Sequence, residues 1–161
     1  MGTLRRDLKQ RRPFASREEE AYLNLVRTTD LLTREVAAVL KPHQLSEAQY
    51  NVLRILRGAG PDGCPCSEVG HRLVTRDPDV TRLLDRLETR ALIARAREHA
   101  DRRVVTTRIT STGLALLEKL DGPVREAVDR MLDHMNGRQL TALIEMLELA
   151  REREAAPAAP R

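Results

Sequence analysis

Residues 80–113 read VTRLLDRLETRALIARAREHADRRVVTTRITSTG, and this stretch decides the fold. Its first part places leucines at helical spacing with charged residues between them, which predicts an amphipathic helix. Leu92–Ala96 and the β-branched run Val104–Ile109 then predict two short strands, separated by the charged turn His99–Arg103. The stretch therefore predicts a helix followed by a β-hairpin with arginines at its tip.

Two further helices are predicted upstream of this stretch. Ser46 and Gln49 have the spacing of a capping box, in which each side chain satisfies a backbone N–H at a helix start. A turn-rich loop covers residues 58–65, and a short helix follows at about Cys66–Leu73. The order of helix, short helix, turn, helix and hairpin is that of a winged helix-turn-helix.

Long helices flank this central region on both sides. Residues 17–41 predict one helix, which Pro42 ends because proline cannot continue the hydrogen-bond ladder. Its apolar seam consists of Tyr22, Leu25, Thr29, Leu32, Val36 and Val39. A second helix resumes at Thr110, with a kink or a short break at Gly122-Pro123. The fold class is thus mainly α with a small β-hairpin.

A last helix is predicted after a turn at Asn136-Gly137, over about residues 138–153. Its apolar stripe consists of Leu140, Leu143, Ile144, Leu147 and Ala150. The two ends of the chain differ from these periodic segments. Residues 1–16 predict a basic arm without helical periodicity, and residues 154–161 predict a disordered tail.

The charge of the chain is unevenly distributed. The formal net charge is +4 over 161 residues. Residues 1–110 carry the positive excess, whereas residues 111–161 are net negative. This division suits a protein whose basic residues 1–110 face phosphates, while the acidic C-terminal segment has a different role.

Composition excludes several classes of protein. Aromatic residues make up only 2% of the chain, which argues against single-strand nucleic-acid binding by base stacking. The two cysteines stand one residue apart and cannot form a disulfide scaffold. No apolar run reaches the roughly 18 residues of a membrane span and no signal-peptide core is present, so we expect a cytoplasmic protein. No nucleophile–base pair or phosphate-binding glycine loop is found, so we expect neither an enzyme nor a cofactor.

The pattern predicts an interface with duplex DNA, because a helix fits the major groove and a hairpin beside it can reach the neighbouring minor groove or phosphates. Asp77 or Arg76 is expected to cap the recognition helix. The residues that we expect to face DNA from this helix are Arg76, Asp79, Thr81, Arg82 and Arg86. Alternatively, these arginines only solvate a helix face beside Asp85 and Glu88. At the wing, Arg102 and Arg103 are expected to contact DNA, with Asp101 orienting Arg103; the alternative is a solvated turn.

The central motif resembles the multiple antibiotic resistance regulator (MarR) family. The matching features are the V-T-R-L-x-D-R-L-E helix, a Leu-Ile strand, the D-R-R wing tip and T-x-x-G at the next helix, and the likeness extends over about residues 17–153. The chain departs from the family in opening its recognition helix with Arg76-Asp77-Pro78-Asp79 rather than Ser or Thr. This departure affects the expected base preference.

The resemblance implies a homodimer on a pseudo-palindromic operator, with half-sites about 34 Å apart. It assigns dimerisation to residues 17–45 and 111–153, and DNA binding to the winged lobe, residues 46–110. It also implies a transcriptional repressor that is released by a small ligand or an oxidant. The alternative is a winged-helix module that binds other proteins and no DNA.

The cysteines are the candidates for oxidant sensing. Cys66 is expected at a helix N-terminus, which lowers the pKa of a thiol, whereas the alternative for Cys64 and Cys66 is a structural role. A metal site formed by these cysteines and His71 matches no strong zinc spacing. We therefore expect no metal.

Overall fold

The computed structural model describes residues 3–77, 79–97 and 105–155. The helices in this part of the chain are α1 (Thr3–Asp7), α2 (Arg17–Leu40), α3 (Glu47–Ala59), α4 (Cys66–Arg72), α5 (Val80–Thr89), α6 (Ser111–Leu132) and α7 (Gly137–Ala155). The strands are β1 (Cys64–Pro65), β2 (Ile93–Arg97) and β3 (Val105–Ile109). The chain divides into two compact units between Val128 and Asp129, within α6. The mainly helical fold class predicted above is confirmed.

The three strands form one antiparallel sheet in the order β1-β3-β2. The predicted hairpin is present, with Ile93 paired to Ile109 at its base and Arg97 paired to Val105 towards its tip. The prediction of a plain loop over residues 58–65 is wrong at its end, because Cys64 pairs with Thr107 and forms β1. A two-residue strand has no periodicity of its own and depends on the edge of β3 for its hydrogen bonds.

The main core lies within the first unit and combines the winged lobe with parts of its flanking helices. Its largest fully buried aliphatic side chains are Leu40, Leu53, Leu56, Leu84, Leu87, Ile93, Leu117 and Leu120. Leu117 and Leu120 of α6 thus pack inside the chain, although the resemblance assigns residues 111–153 to dimerisation. The hydrophobic effect thus fixes the first half of α6 on the lobe.

Two helix starts follow local side-chain chemistry. Ser46 and Gln49 form the predicted capping box, since the Ser46 hydroxyl accepts the Gln49 N–H and the Gln49 side chain accepts the Ser46 N–H. Asn136 and Gln139 exchange the same pair of hydrogen bonds at the start of α7. The prediction of a turn at Asn136-Gly137 is therefore wrong: Asn136 caps a helix whose first residue is Gly137.

Three other predictions about helices are corrected. The N-terminal arm contains α1, and Leu4 on that helix is only 4% exposed, so burial of one leucine stabilises a turn that lacks wider periodicity. Of the kink or short break expected at Gly122-Pro123, the break is absent, because α6 continues through Pro123 with Leu120 and Val124 buried on either side of the missing hydrogen bond. Helix α7 extends to Ala155, since Glu and Ala favour helix, and residues 156–161 of the expected tail lie outside the described residues.

None of the helices in the described part of the chain is both long and apolar enough to cross a membrane.

Candidate nucleic-acid interface

The recognition helix α5 begins later than predicted, and its cap is Asp79 rather than Asp77 or Arg76. The Asp79 carboxylate accepts the backbone N–H of Arg82 at 3.0 Å, and the Asp79 N–H donates to the Asp77 carboxylate at 2.8 Å. Both acidic side chains are therefore engaged by backbone donors at the helix entrance. This arrangement accounts for carboxylates at a site where free ones would repel phosphate.

Helix α5 separates an apolar face from a basic one. Leu83, Leu84 and Leu87 are buried, whereas Thr81, Arg82 and Arg86 are exposed. Among the described residues, Arg82 and Arg86 have no side-chain hydrogen bond or ion pair. Two guanidinium groups on neighbouring helical turns are therefore available for an outside partner. Arg76 is exposed in the turn before the helix.

Arg95 on strand β2 binds both acidic side chains of α5. Its guanidinium donates to the Glu88 carboxylate from Nε at 2.8 Å and from Nη2 at 2.5 Å, and its Nη2 reaches Asp85 at 2.6 Å. The hydrogen bond from Arg95 holds the pKa of Glu88 below its ordinary value. Asp85 and Glu88 therefore pair with Arg95 and not with Arg82 or Arg86.

Arg90 ties the C-terminal end of α5 to the connection between α2 and α3. Its guanidinium donates to the Gln44 carbonyl at 2.7 Å and to the His43 carbonyl at 2.9 Å. The carbonyls lie at the end of a short 3-10 helix, Lys41–His43, where Gln44 has a positive φ of 53°. Arg90 and Arg95 therefore fix the recognition helix from two sides.

The T-x-x-G segment attaches the base of the wing to α6. The Thr110 hydroxyl donates to the Ala91 carbonyl at 2.7 Å and accepts the Gly113 N–H at 3.1 Å. A Cβ at Gly113 would lie 2.3 Å from the Leu92 carbonyl oxygen, closer than any side chain tolerates. The glycine is thus required where α6 crosses the start of β2.

The turn of the helix-turn-helix is held by a residue that sequence reasoning missed. Asn51 on α3 accepts the backbone N–H of Val74 at 2.9 Å, and Val74 itself is 86% exposed. An asparagine in a helix gives no signal of such a distant partner, so only the folded chain identifies it.

The wing tip carries three of the predicted site residues. Asp101, Arg102 and Arg103 lie outside the described residues, and Pro78 at the helix entrance does so as well. The described strands β2 and β3 lead towards this tip from the recognition helix.

The two cysteines lie at the junction of β1 and α4. Cys66 is the first residue of α4, as predicted, and its Sγ lies 3.0 Å from the hydroxyl of Thr107. Cys64 is buried, and this burial raises the pKa of its thiol. A raised pKa disfavours the reactive thiolate, which argues for a structural Cys64. No group of potential metal ligands occurs among the described residues.

A helix-turn-helix with an exposed basic helix and a flanking hairpin defines a winged helix-turn-helix protein. The MarR family model matches residues 45–105. The crystal structure of a MarR transcription factor from Planctomyces limnophilus is 41% identical to this chain, with 85% of this chain and 99% of the other covered and a TM-score of 0.66. The chain therefore belongs to the MarR family of transcriptional regulators.

Two further proteins are similar to this chain, one in sequence and one in structure. The homoprotocatechuate degradative operon repressor of Escherichia coli is 26% identical over 68% of this chain and 73% of its own length. BpsR of Bordetella bronchiseptica, whose DNA binding is regulated by 6-hydroxynicotinic acid, is 24% identical and covers 82% of this chain and 98% of its own, with a TM-score of 0.73. The first is named as an operon repressor, and the second is described as a DNA-binding protein.

Proposed function

We propose that this chain is a sequence-specific repressor that binds duplex DNA as a homodimer on a pseudo-palindromic operator. The observation that carries the proposal is the exposed pair Arg82 and Arg86 on a helix whose acidic side chains are occupied by Arg95. Family membership supports it, because the matched relatives are named as transcriptional regulators and repressors. We place this regulator in the cytoplasm, as the sequence leads us to expect.

Each predicted contact has a chemical role in this proposal. Arg82 and Arg86 donate bidentate hydrogen bonds to guanine edges in the major groove, and Thr81 contacts a neighbouring base or methyl group. Asp79 keeps the helix start in place by capping it rather than by reading a base. Arg76 binds a phosphate beside the helix. At the wing, Arg102 and Arg103 contact the adjacent groove, and Asp101 orients Arg103.

The homodimer is supported by apolar side chains that a single chain leaves in water. On α2, Tyr22, Leu25 and Leu31 are exposed. On α7, Leu143 and Ile144 of the predicted stripe are exposed, and none of its described side chains is buried. Exposed apolar faces of this kind mark interaction surfaces. A second copy that covers them would place two recognition helices on successive major grooves.

The repressor is proposed to respond to a small-molecule effector rather than through Cys64. The buried thiol with its raised pKa is poorly suited to react with an oxidant. Regulation of a relative's DNA binding by 6-hydroxynicotinic acid supports a small organic acid as the effector class.

The test begins with selection of bound duplexes from a random pool, followed by titration of the selected operator. The affinity should fall steeply with salt, because phosphate contacts release counterions. Arg82→Ala and Arg103→Ala should each weaken operator binding by about 1–3 kcal/mol, and Arg82→Ala should also relax sequence preference. Lys119→Ala, which removes one positive charge from an exposed position on α6, is the matched control and should have little effect.

Three outcomes would count against this assignment. Equal losses of Arg82→Ala on operator and random DNA would make Arg82 a phosphate contact. Unchanged affinity in a folded Arg103→Ala variant would refute the wing contact. Absence of binding to every duplex at low salt would refute the proposed function and leave the protein-binding module as the alternative.

A further inference from the structure

Strand β2 is joined to α5 by several hydrogen bonds from a single residue, Arg95. Besides the guanidinium contacts, the backbone N–H of Arg95 donates to the second Glu88 oxygen at 3.0 Å. Both carboxylate oxygens of Glu88 are therefore bound by the same residue. The Arg95 side chain is only 23% exposed, so its ion pairs are partly shielded from solvent.

The contacts of α5 separate its acidic side chains from the residues proposed to touch DNA. Asp85 is three residues from Arg82 as well as from Glu88, so spacing alone does not divide them. Both acids bind Arg95, whereas Arg82 and Arg86 stay exposed. A single short helix thus presents its DNA-facing side chains and holds the hairpin at the same time.

We propose that Arg95 is a positioning residue for DNA binding, which fixes the angle between the wing and the recognition helix. The inference rests on the proposed function and deepens it. Strand β2 lies at the edge of a three-stranded sheet, and a sheet this small depends on packing against other elements to hold one orientation. Charge-assisted hydrogen bonds in a fork geometry supply direction as well as attraction, which a single point charge does not.

The physical consequence concerns simultaneous contact with two grooves. When wing and helix form one rigid body, engagement of the helix raises the effective concentration of the wing at its own groove. When the wing swings freely, that advantage is lost although every DNA-contacting side chain is still present. Loss of Arg95 should therefore remove most of the operator affinity that the wing arginines contribute. The losses of affinity in Arg95 and wing variants should then not be multiplicative.

The first experiment measures this orientation without DNA. Spin labels are placed at Thr81→Cys on α5 and Arg97→Cys on β2, both exposed positions, in a Cys64→Ala and Cys66→Ser background. Labelled chains are diluted into an excess of unlabelled ones, so that the pair distance within one chain dominates. The proposal expects one narrow distance distribution, which broadens at least twofold on Arg95→Ala. An unchanged distribution would overturn it.

The second experiment is a double-mutant cycle on the selected operator, with thermal unfolding measured for every variant. Arg95→Ala should weaken binding about tenfold, and Arg103→Ala should then cost less than twofold in that background. Arg95→Lys keeps the charge but cannot hold both carboxylates, so it should resemble Arg95→Ala. Arg57→Ala, which breaks a comparable bidentate pair with Asp121 between α3 and α6, is the control and should combine multiplicatively with Arg103→Ala.

The outcomes separate the two proposals. If Arg95→Ala and Arg103→Ala act multiplicatively, Arg95 does not position the wing and the inference fails while DNA binding stands. Full activity of Arg95→Lys would likewise overturn it, because charge alone would then suffice. If the wild-type chain binds no duplex, the proposed function fails, and the distance measurement alone decides whether Arg95 holds the hairpin.

Discussion

The winged lobe and helix α7 use similar leucine-rich sequences in opposite ways. In the lobe, Leu53, Leu56 and Leu84 are buried almost completely by the same chain. On α7, Leu143 is 37% exposed and Ile144 is 55% exposed. Both regions have a helical apolar stripe, so the stripe by itself does not tell which partner covers it.

This difference in burial shows that apolar packing within one chain stabilises the lobe much more than it stabilises α7. The lobe satisfies its apolar faces and its buried polar groups within one chain, and no buried side-chain donor or acceptor among the described residues is left unsatisfied. Helix α7 gains little from burial on its own, although most helical stability in proteins comes from the packing of an apolar face. The core of the lobe is closed within one chain with the help of Leu40, Leu117 and Leu120 from its flanking helices, whereas Leu143 and Ile144 of α7 stay exposed.

The change with the largest expected effect is Ile144→Glu on α7. If a second chain covers this face, the new carboxylate is buried without a partner, which should weaken the dimer by on the order of 1,000-fold. Operator affinity should fall with it. Sedimentation equilibrium measures the dimer, and Thr141→Glu, on the polar face with Glu145 and Glu148, is the matched control. A dimer of unchanged stability in the Ile144→Glu variant would show that no second chain covers this face of α7.

The next effect tests the lobe itself. Leu84→Ala should lower the free energy of unfolding by about 3 kcal/mol, because it leaves a cavity in a packed core. Denaturant unfolding measures this loss. Val74→Ala removes an aliphatic side chain of the same lobe that is almost entirely in water, and it should change stability by less than about 0.5 kcal/mol. Comparable losses in both variants would contradict the burial described above.

A smaller effect is expected at the cap of the recognition helix. Asp79→Ala should cost about 1 kcal/mol of stability, because the Arg82 N–H loses its acceptor. Asp79→Asn keeps a capping oxygen and should change stability by only a few tenths of a kcal/mol. Denaturant unfolding at neutral pH separates the two. A loss of equal size in Asp79→Asn would show that the charge, rather than the cap, stabilises the helix.

The smallest effect concerns the exposed pair of Arg57 and Asp121. The guanidinium holds the pKa of Asp121 below its ordinary value of about 4, so the stabilisation is present above that pH and is lost as the pH falls through the lowered pKa. Arg57→Ala should cost roughly 0.5 kcal/mol at pH 7, since both side chains are substantially solvated. Urea unfolding should show this difference shrinking below about pH 4. A difference that stays constant down to pH 2 would contradict the assignment.

Sequence reasoning succeeded where the cause is local. The capping box at Ser46 and Gln49 and the leucine face of α5 depend on residues within a few positions of one another. Both strands of the wing were predicted within one or two residues, and β3 is marked most clearly because its β-branched run favours a strand over a helix. The winged helix-turn-helix class followed from the order of these elements.

What sequence reasoning missed depends on partners that are distant in sequence. Strand β1 exists because β3 offers an edge, and Arg95 pairs with acids on another element. The placement of Leu117 in the lobe core rather than at a dimer face was equally invisible, because an apolar stripe looks the same in both settings. The cap is Asp79 rather than the predicted Asp77, because the Asp77 carboxylate accepts the backbone N–H of Asp79.

The close approach at Gly113 has a mechanical consequence. The first turn of α6 rests directly on the Leu92 carbonyl, and the Thr110 hydroxyl is bonded to Ala91 beside it. Gly113 itself contributes no side chain at this contact that could rearrange and absorb a displacement. A rotation of the first turn of α6 would therefore displace the start of β2 by a similar amount. The junction is a rigid connection rather than a hinge.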